Sequence, residues 1–136
     1  MTVKFNVVER ANPANREAPK KFYPSLQSTG RKTLRQMADT IAMISTVSTA
    51  DTIAVLEGLL KTIPLELAEG NVVELGDFGN FWLKANSEGV DSPADVRASQ
   101  ITTLLPRFNP GKQFKKVLAT VEYVKGELVS PPTVEE

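Results

Sequence analysis

The chain has 136 residues, 41% hydrophobic and 24% charged, with 16 Lys and Arg balancing 16 Asp and Glu. That suffices for one domain with a core, falls short of the usual size for two, and matches ordinary soluble globular proteins. It contains neither cysteine nor histidine, which removes disulfides, thiolate metal sites, the commonest general base and the commonest metal ligand, so a non-enzymatic protein with no metal site and no cofactor is expected.

No apolar run approaches the roughly 20 residues of a membrane span, and Met1-Thr2-Val3-Lys4 does not lead into the apolar core of a signal peptide. A cytoplasmic protein with no membrane partner is therefore expected. The zero net charge hides segregation. Residues 1–35 carry eight basic side chains against two acidic, residues 36–100 three against ten, and residues 101–136 five against four. A zero sum disfavours a general polyanion binder, while local basic patches remain available at both ends of the chain.

Residues 2–9 alternate, with Val3, Phe5 and Val7 on one side, and read as a short strand. Asn12-Pro13, Asn15 and Pro19 mark a loop. Lys20 to Leu26 reads as a second strand that Pro24 confines to an edge. This stretch is an extra hairpin or a flexible basic arm, and Phe5, Val7, Phe22 and Tyr23 favour ordered strands.

Thr33 to Ser45 reads as a helix, with Leu34, Met37, Ala38, Ile41 and Ile44 on one stripe. A second begins at Ser48 or Thr49, with Asp51 favourable in its first turn, and ends at Gly70. Its apolar residues, from Ile53 through Leu67, cover more than one face, so it needs two things to pack against. Pro64 implies a kink, or two shorter helices broken near Ile63. Val73/Leu75 and Phe81/Leu83 then alternate around Gly76-Asp77-Phe78-Gly79, an antiparallel hairpin. Asp77-Phe78-Gly79 is read as turn chemistry, not as the kinase signature it spells, and Glu74 with Asp77 as structural, not as an acid/base pair. Trp82 falls on the outer side of its strand, covered by the N-terminal stretch or exposed.

Lys84 to Asp95 is polar, and Val96 to Leu105 reads as the third strand. Asn109 as N-cap and Pro110 at the first helical position open a helix to about Tyr123, which would bury Phe114, Val117, Leu118 and Val121. From Lys125 the sequence, with Ser130-Pro131-Pro132 and Glu135-Glu136, reads as a disordered tail.

These residues carry a likeness. Gly70, Val73, Leu75, Phe78, Gly79 and Phe81, followed by Phe108, Pro110, Gly111 and Lys112, match the hairpin and helix start of a known family. The chain resembles the bacterial histone-like HU/IHF family over about Thr33 to Val124, and its N-terminal addition resembles the longer HU-related proteins of Bacteroides-type bacteria. The resemblance implies an α+β fold with two N-terminal helices, a three-stranded antiparallel sheet with a β-arm, and a C-terminal helix, in an intertwined homodimer. The division would be an N-terminal extension of two short strands at 1–32, an HU/IHF-like domain at 33–124 and a disordered tail at 125–136.

The implied function is non-sequence-specific binding of duplex DNA through its phosphate backbone, with nucleoid localisation and arms that enter the minor groove behind a wedging proline. The sequence departs from the family in the arm. Glu88, Asp91 and Asp95 face only Lys84 and Arg97, the Arg-Asn-Pro tip is missing, and Pro93 is the one possible wedge. Weaker clasping and less kinking follow. Candidate DNA contacts are Lys112, Lys115, Lys116, Arg107, Lys84, Arg97, Arg31 and Lys32. The three lysines at the last helix oppose its macrodipole unless an anion is present, or they form a solvated face. Lys20, Lys21, Arg31, Lys32 and Arg35 track phosphates or merely solubilise an edge strand. The competing function is a dimerisation or protein-interaction module on the HU fold that does not bind DNA.

Overall fold

The computed structural model describes residues 1–129. In chain order the elements are β1 (Thr2–Arg10), β2 (Lys21–Leu26), α1 (Leu34–Ile44), α2 (Thr49–Ala68), β3 (Val73–Glu74), β4 (Gly79–Ser87), β5 (Ile101–Pro110), α3 (Lys112–Leu118) and β6 (Glu122–Val129). They divide into two compact units. Among the described residues, one joins Met1–Arg31 to Leu118–Val129, and the other is Lys32–Val117.

The first unit is a three-stranded sheet of order β2-β1-β6. β1 pairs antiparallel with β2, from Phe5 opposite Leu26 to Arg10 opposite Lys21. It pairs parallel with β6, from Thr2 beside Glu122 to Val8 beside Val129, with a register shift between Phe5 and Val7. Pro24 is tolerated because β2 is an edge strand. The expected tail therefore needs correction at its start: Lys125 to Val129 is strand, because β1 offers an edge of unsatisfied backbone groups for it to pair with. The remainder of that tail lies outside the described residues.

The second unit opens with two helices whose ends are set by local chemistry. The Thr33 hydroxyl accepts from the Gln36 N–H at 3.2 Å while the Gln36 side chain accepts from the Thr33 N–H at 3.0 Å, a closed capping box. Ser48 Oγ accepts from the Asp51 N–H at 3.1 Å to start α2. At its end Gly70 takes φ +90° and its N–H donates to Leu67, while Asn71 donates to Glu66, which satisfies the last carbonyls. α2 passes through Pro64 as one helix, so the alternative of two shorter helices does not arise.

The second sheet is antiparallel, order β3-β4-β5. The expected α+β class stands, with two amendments: strands precede the two helices, and the single expected sheet is joined by a second. The third strand is also displaced, running to Pro110 instead of ending at Leu105, because Asn109 and Pro110 pair with Asn80 and Gly79. Asn109 is accordingly not a helix cap. α3 starts at Lys112 and ends at Leu118, so Tyr123 belongs to β6 and not to the helix.

Among the described hydrophobic residues only Ala38 and Leu67 are fully buried. Met43, Ile44 and Val55 on the helices are 86%, 81% and 70% exposed. Both helices thus present uncovered apolar surface. No described helix is long and apolar enough to cross a membrane.

Candidate nucleic-acid interface

The β4–β5 register sorts the arm into two faces, because directly paired residues share a face and neighbours alternate. Phe81, Leu83 and Ala85 pair with Phe108, Pro106 and Leu104. Four of these, Phe81, Leu83, Leu104 and Pro106, line an apolar cleft of ≈ 420 Å³ with Ile63 and Leu67 of α2. The opposite face carries Trp82 paired with Arg107, and Lys84 two residues along. Arg107 and Lys84 are therefore brought to one face, both exposed. On that same face Asn80 Oδ1 and Trp82 Nε1 are buried without a partner among the described residues.

α3 is anchored by rings. Phe114 lies 5.3 Å from Phe78 and 5.6 Å from Phe108, both edge-on, and Phe108 is 4.9 Å from Phe81. With Phe114 held against the sheet, Lys112, Lys115 and Lys116 fall at i, i+3 and i+4, one exposed stripe. The macrodipole argument needs amendment. Because α3 ends at Leu118, Lys115 and Lys116 lie in its last turn, where cations are favourable. Only Lys112 opposes the dipole.

The arm tip is built by a side chain the sequence did not single out. Gln100 Oε1 accepts from the Arg97 N–H at 2.6 Å, and its Nε2 donates to the Glu88 carbonyl at 3.1 Å. Thr102 Oγ1 donates to the Asn86 carbonyl at 3.0 Å across the strands. Nothing in local periodicity marks a glutamine as a clamp twelve residues from its acceptor. Pro93 opens a short 3-10 turn, Pro93–Asp95, at this tip, and stands exposed with Asp91, Asp95 and Glu88 around it in the chain. Arg97 is exposed at the tip as well. Arg31 and Lys32 are exposed ahead of α1, Arg31 in the first unit and Lys32 in the second.

A family model described as an HU domain fused to wHTH, Ig, or Glycine-rich motif matches residues 1–125. The chain belongs to this HU-domain family. No curated protein matches it. Among solved structures, the HU-domain chain is similar to a candidate bacterial DNA-binding protein from Bacteroides vulgatus, with 11% identity and a TM-score of 0.64, covering 96% of this chain and 50% of that one. The chain thus spans half the length of that protein. It is also similar to Anabaena HU in a DNA cocrystal structure, with 24% identity and a TM-score of 0.53, covering 65% of this chain and 99% of that one. These likenesses show the HU-like fold.

Proposed function

We propose that this chain is a homodimeric, non-enzymatic, HU-like protein that binds duplex DNA through the phosphate backbone without reading sequence, in the bacterial cytoplasm at the nucleoid. The observation that carries the reading is the exposed Lys112, Lys115 and Lys116 stripe on α3, fixed by the Phe114 contacts to a sheet whose outer face presents Arg107 and Lys84. Phosphate contacts from clustered Lys and Arg supply essentially all of the affinity in non-specific binding. The cocrystallised relative with DNA supports the partner class. Arg97, Arg31 and Lys32 extend the contact set at the arm tip and ahead of α1.

The homodimer is supported by what the helices leave uncovered. A cleft of ≈ 420 Å³ lined by Ile63, Leu67, Phe81 and Leu83, and exposed Val55 and Leu60 on α2, form an apolar surface that a second copy would bury. With acids dominating the arm, Pro93 acts as a loop residue more than as a wedge, and binding is weaker and less kinking than in basic-armed relatives. One specific feature favours the second reading, an interaction module without DNA affinity: the tip's Glu88, Asp91 and Asp95 would repel a phosphate backbone.

The test is a fluorescence-anisotropy titration of a short duplex at ~50 and ~200 mM salt, the range over which six to ten phosphate contacts lose about 10³–10⁵ in affinity. The Lys112/Lys115/Lys116→Ala variant should bind more weakly and show a shallower salt slope. Absence of binding at low salt, with the dimer intact, would favour the interaction module.

A further inference from the structure

The end of the β1–β2 hairpin holds an arrangement that the duplex reading leaves unused. Arg10 and Lys21 are direct partners on the last rung of this antiparallel ladder. Two like charges placed opposite each other destabilise such a pair. Tyr23 pairs with Val8, two residues inward, so Arg10, Lys21 and Tyr23 stand on one face. Together with Asn12, Pro13 and Pro19 they line a cavity of ≈ 450 Å³. That lies within the range of about 300–1,000 Å³ found for small-ligand pockets.

The cavity wall is pre-formed by the loop's own hydrogen bonds. Asn12 Oδ1 accepts from the Ala14 N–H at 3.0 Å and Asn15 Oδ1 from the Glu17 N–H at 3.1 Å. The Asn15 and Ala18 amides donate to the Asn12 and Asn15 carbonyls at 3.2 Å each. Glu9 is one residue from Arg10 and therefore on the other face of β1, and neither Glu9 nor Glu17 lines the cavity. The cavity is cationic with an aromatic side.

We propose that this cavity binds a phosphate ester with its attached planar base, a nucleotide unit. The phosphate sits between the Arg10 guanidinium and the Lys21 ammonium, turning one repulsion into two charge-assisted attractions. The base lies against the Tyr23 ring, 45% exposed and available for stacking. A free nucleotide and a nucleotide within a single strand share this chemistry. The proposal stands apart from the α3 surface and does not need it.

The experiment is an NMR titration of the full chain with adenosine 5′-monophosphate, adenosine, inorganic phosphate and a 5′-phosphorylated single-stranded tetranucleotide. The expected result is amide shifts confined to residues 10–23, with the monophosphate binding at least about tenfold more tightly than adenosine. R10Q/K21Q removes that preference. Removing a like-charge pair leaves the hairpin folded, which the amides of Phe5 and Leu26 at the other end of the ladder report. Y23L retains inorganic phosphate binding and loses the preference of monophosphate over inorganic phosphate, an independent readout should the double variant not fold. Tightest binding of the tetranucleotide assigns the site to a strand, and tightest binding of the monophosphate assigns it to free nucleotide. The Lys112/Lys115/Lys116→Ala variant binds the monophosphate as wild type does, whatever its duplex affinity. Equal binding of adenosine and its monophosphate, or wild-type behaviour of both R10Q/K21Q and Y23L, would overturn the proposal.

Discussion

The backbone N–H of Gly111 donates to the carbonyl of Phe78 across 2.8 Å, tying the start of α3 to the turn that closes the β3–β4 hairpin. A side chain at Gly111 has nowhere to go: its Cβ would run into the backbone carbonyl of Asp77 and come within 3.0 Å of the Gly79 amide. Backbone atoms cannot swing aside as a side-chain tip can. Gly111→Ala should therefore cost about 1–3 kcal/mol through overpacking, read as a lower urea midpoint at unchanged slope. Because the Gly111 carbonyl also accepts from Lys115 at 3.1 Å, the amides of α3 should exchange faster in the same variant.

Phe108 touches three rings, with centroids 5.4, 4.9 and 5.6 Å from Phe78, Phe81 and Phe114. Phe108→Ala should destabilise by about 3 kcal/mol, at the low end for a phenylalanine because the site is only half-buried. Phe108→Leu should recover about half of that loss, leaving a ring-geometry part of roughly 1.5 kcal/mol from the three pairs at the low end of the per-pair range. Chemical denaturation of the three proteins side by side measures both.

Some of this architecture is legible along the chain and some is not, for physical reasons. The Leu34 to Ile44 stripe, and Ser48 with Asp51, announce their helices because both signals are local, the cap spanning only three residues. β6 is opaque for the opposite reason. Its pairing with β1 joins Thr2 to Glu122, and Lys125-Gly126-Glu127 gives it no alternation to betray a strand. Asn109-Pro110 mimics a helix start, yet the ladder to β4 claims both residues, and β5, as an edge strand, tolerates Pro106 and Pro110. At the candidate interface the lysine stripe is visible as spacing. That Arg107 shares a face with Lys84 follows only once the Trp82–Arg107 register is known.

Exposed Val55 and Leu60 on α2, at 70% and 56%, give a thermal prediction. If a second copy covers them, a tenfold rise in protein concentration should raise Tm by roughly 2–3 °C, as mass action on a dimer of this size requires. Val55→Lys with Leu60→Lys should abolish that dependence and the dimer mass in sedimentation.

The arm's acids give a prediction of opposite sign to most substitutions. Glu88→Gln, Asp91→Asn and Asp95→Asn together remove three exposed negative charges from the tip. Duplex affinity at low salt should rise several-fold, with the gain shrinking as the Debye length falls from ~10 Å at 0.1 M to ~3 Å at 1 M. Pro93→Ala should leave the duplex bend angle, measured by energy transfer between end labels, unchanged.

The parallel pairing of β1 with β6 also fixes an order of assembly during synthesis. Residues 2–26 leave the ribosome before the second unit, but their third strand, Glu122–Val129, comes roughly 5–20 s after them at ~5–20 residues per second. In that interval β1 and β2 form at most a two-stranded hairpin, which alone is marginal in water. The helices and the β3-β4-β5 sheet can all be complete before β1 acquires its last neighbour. β1 and β2, made before the second unit, are thus completed after it, and until β6 arrives the open β1 edge is exposed to mispairing.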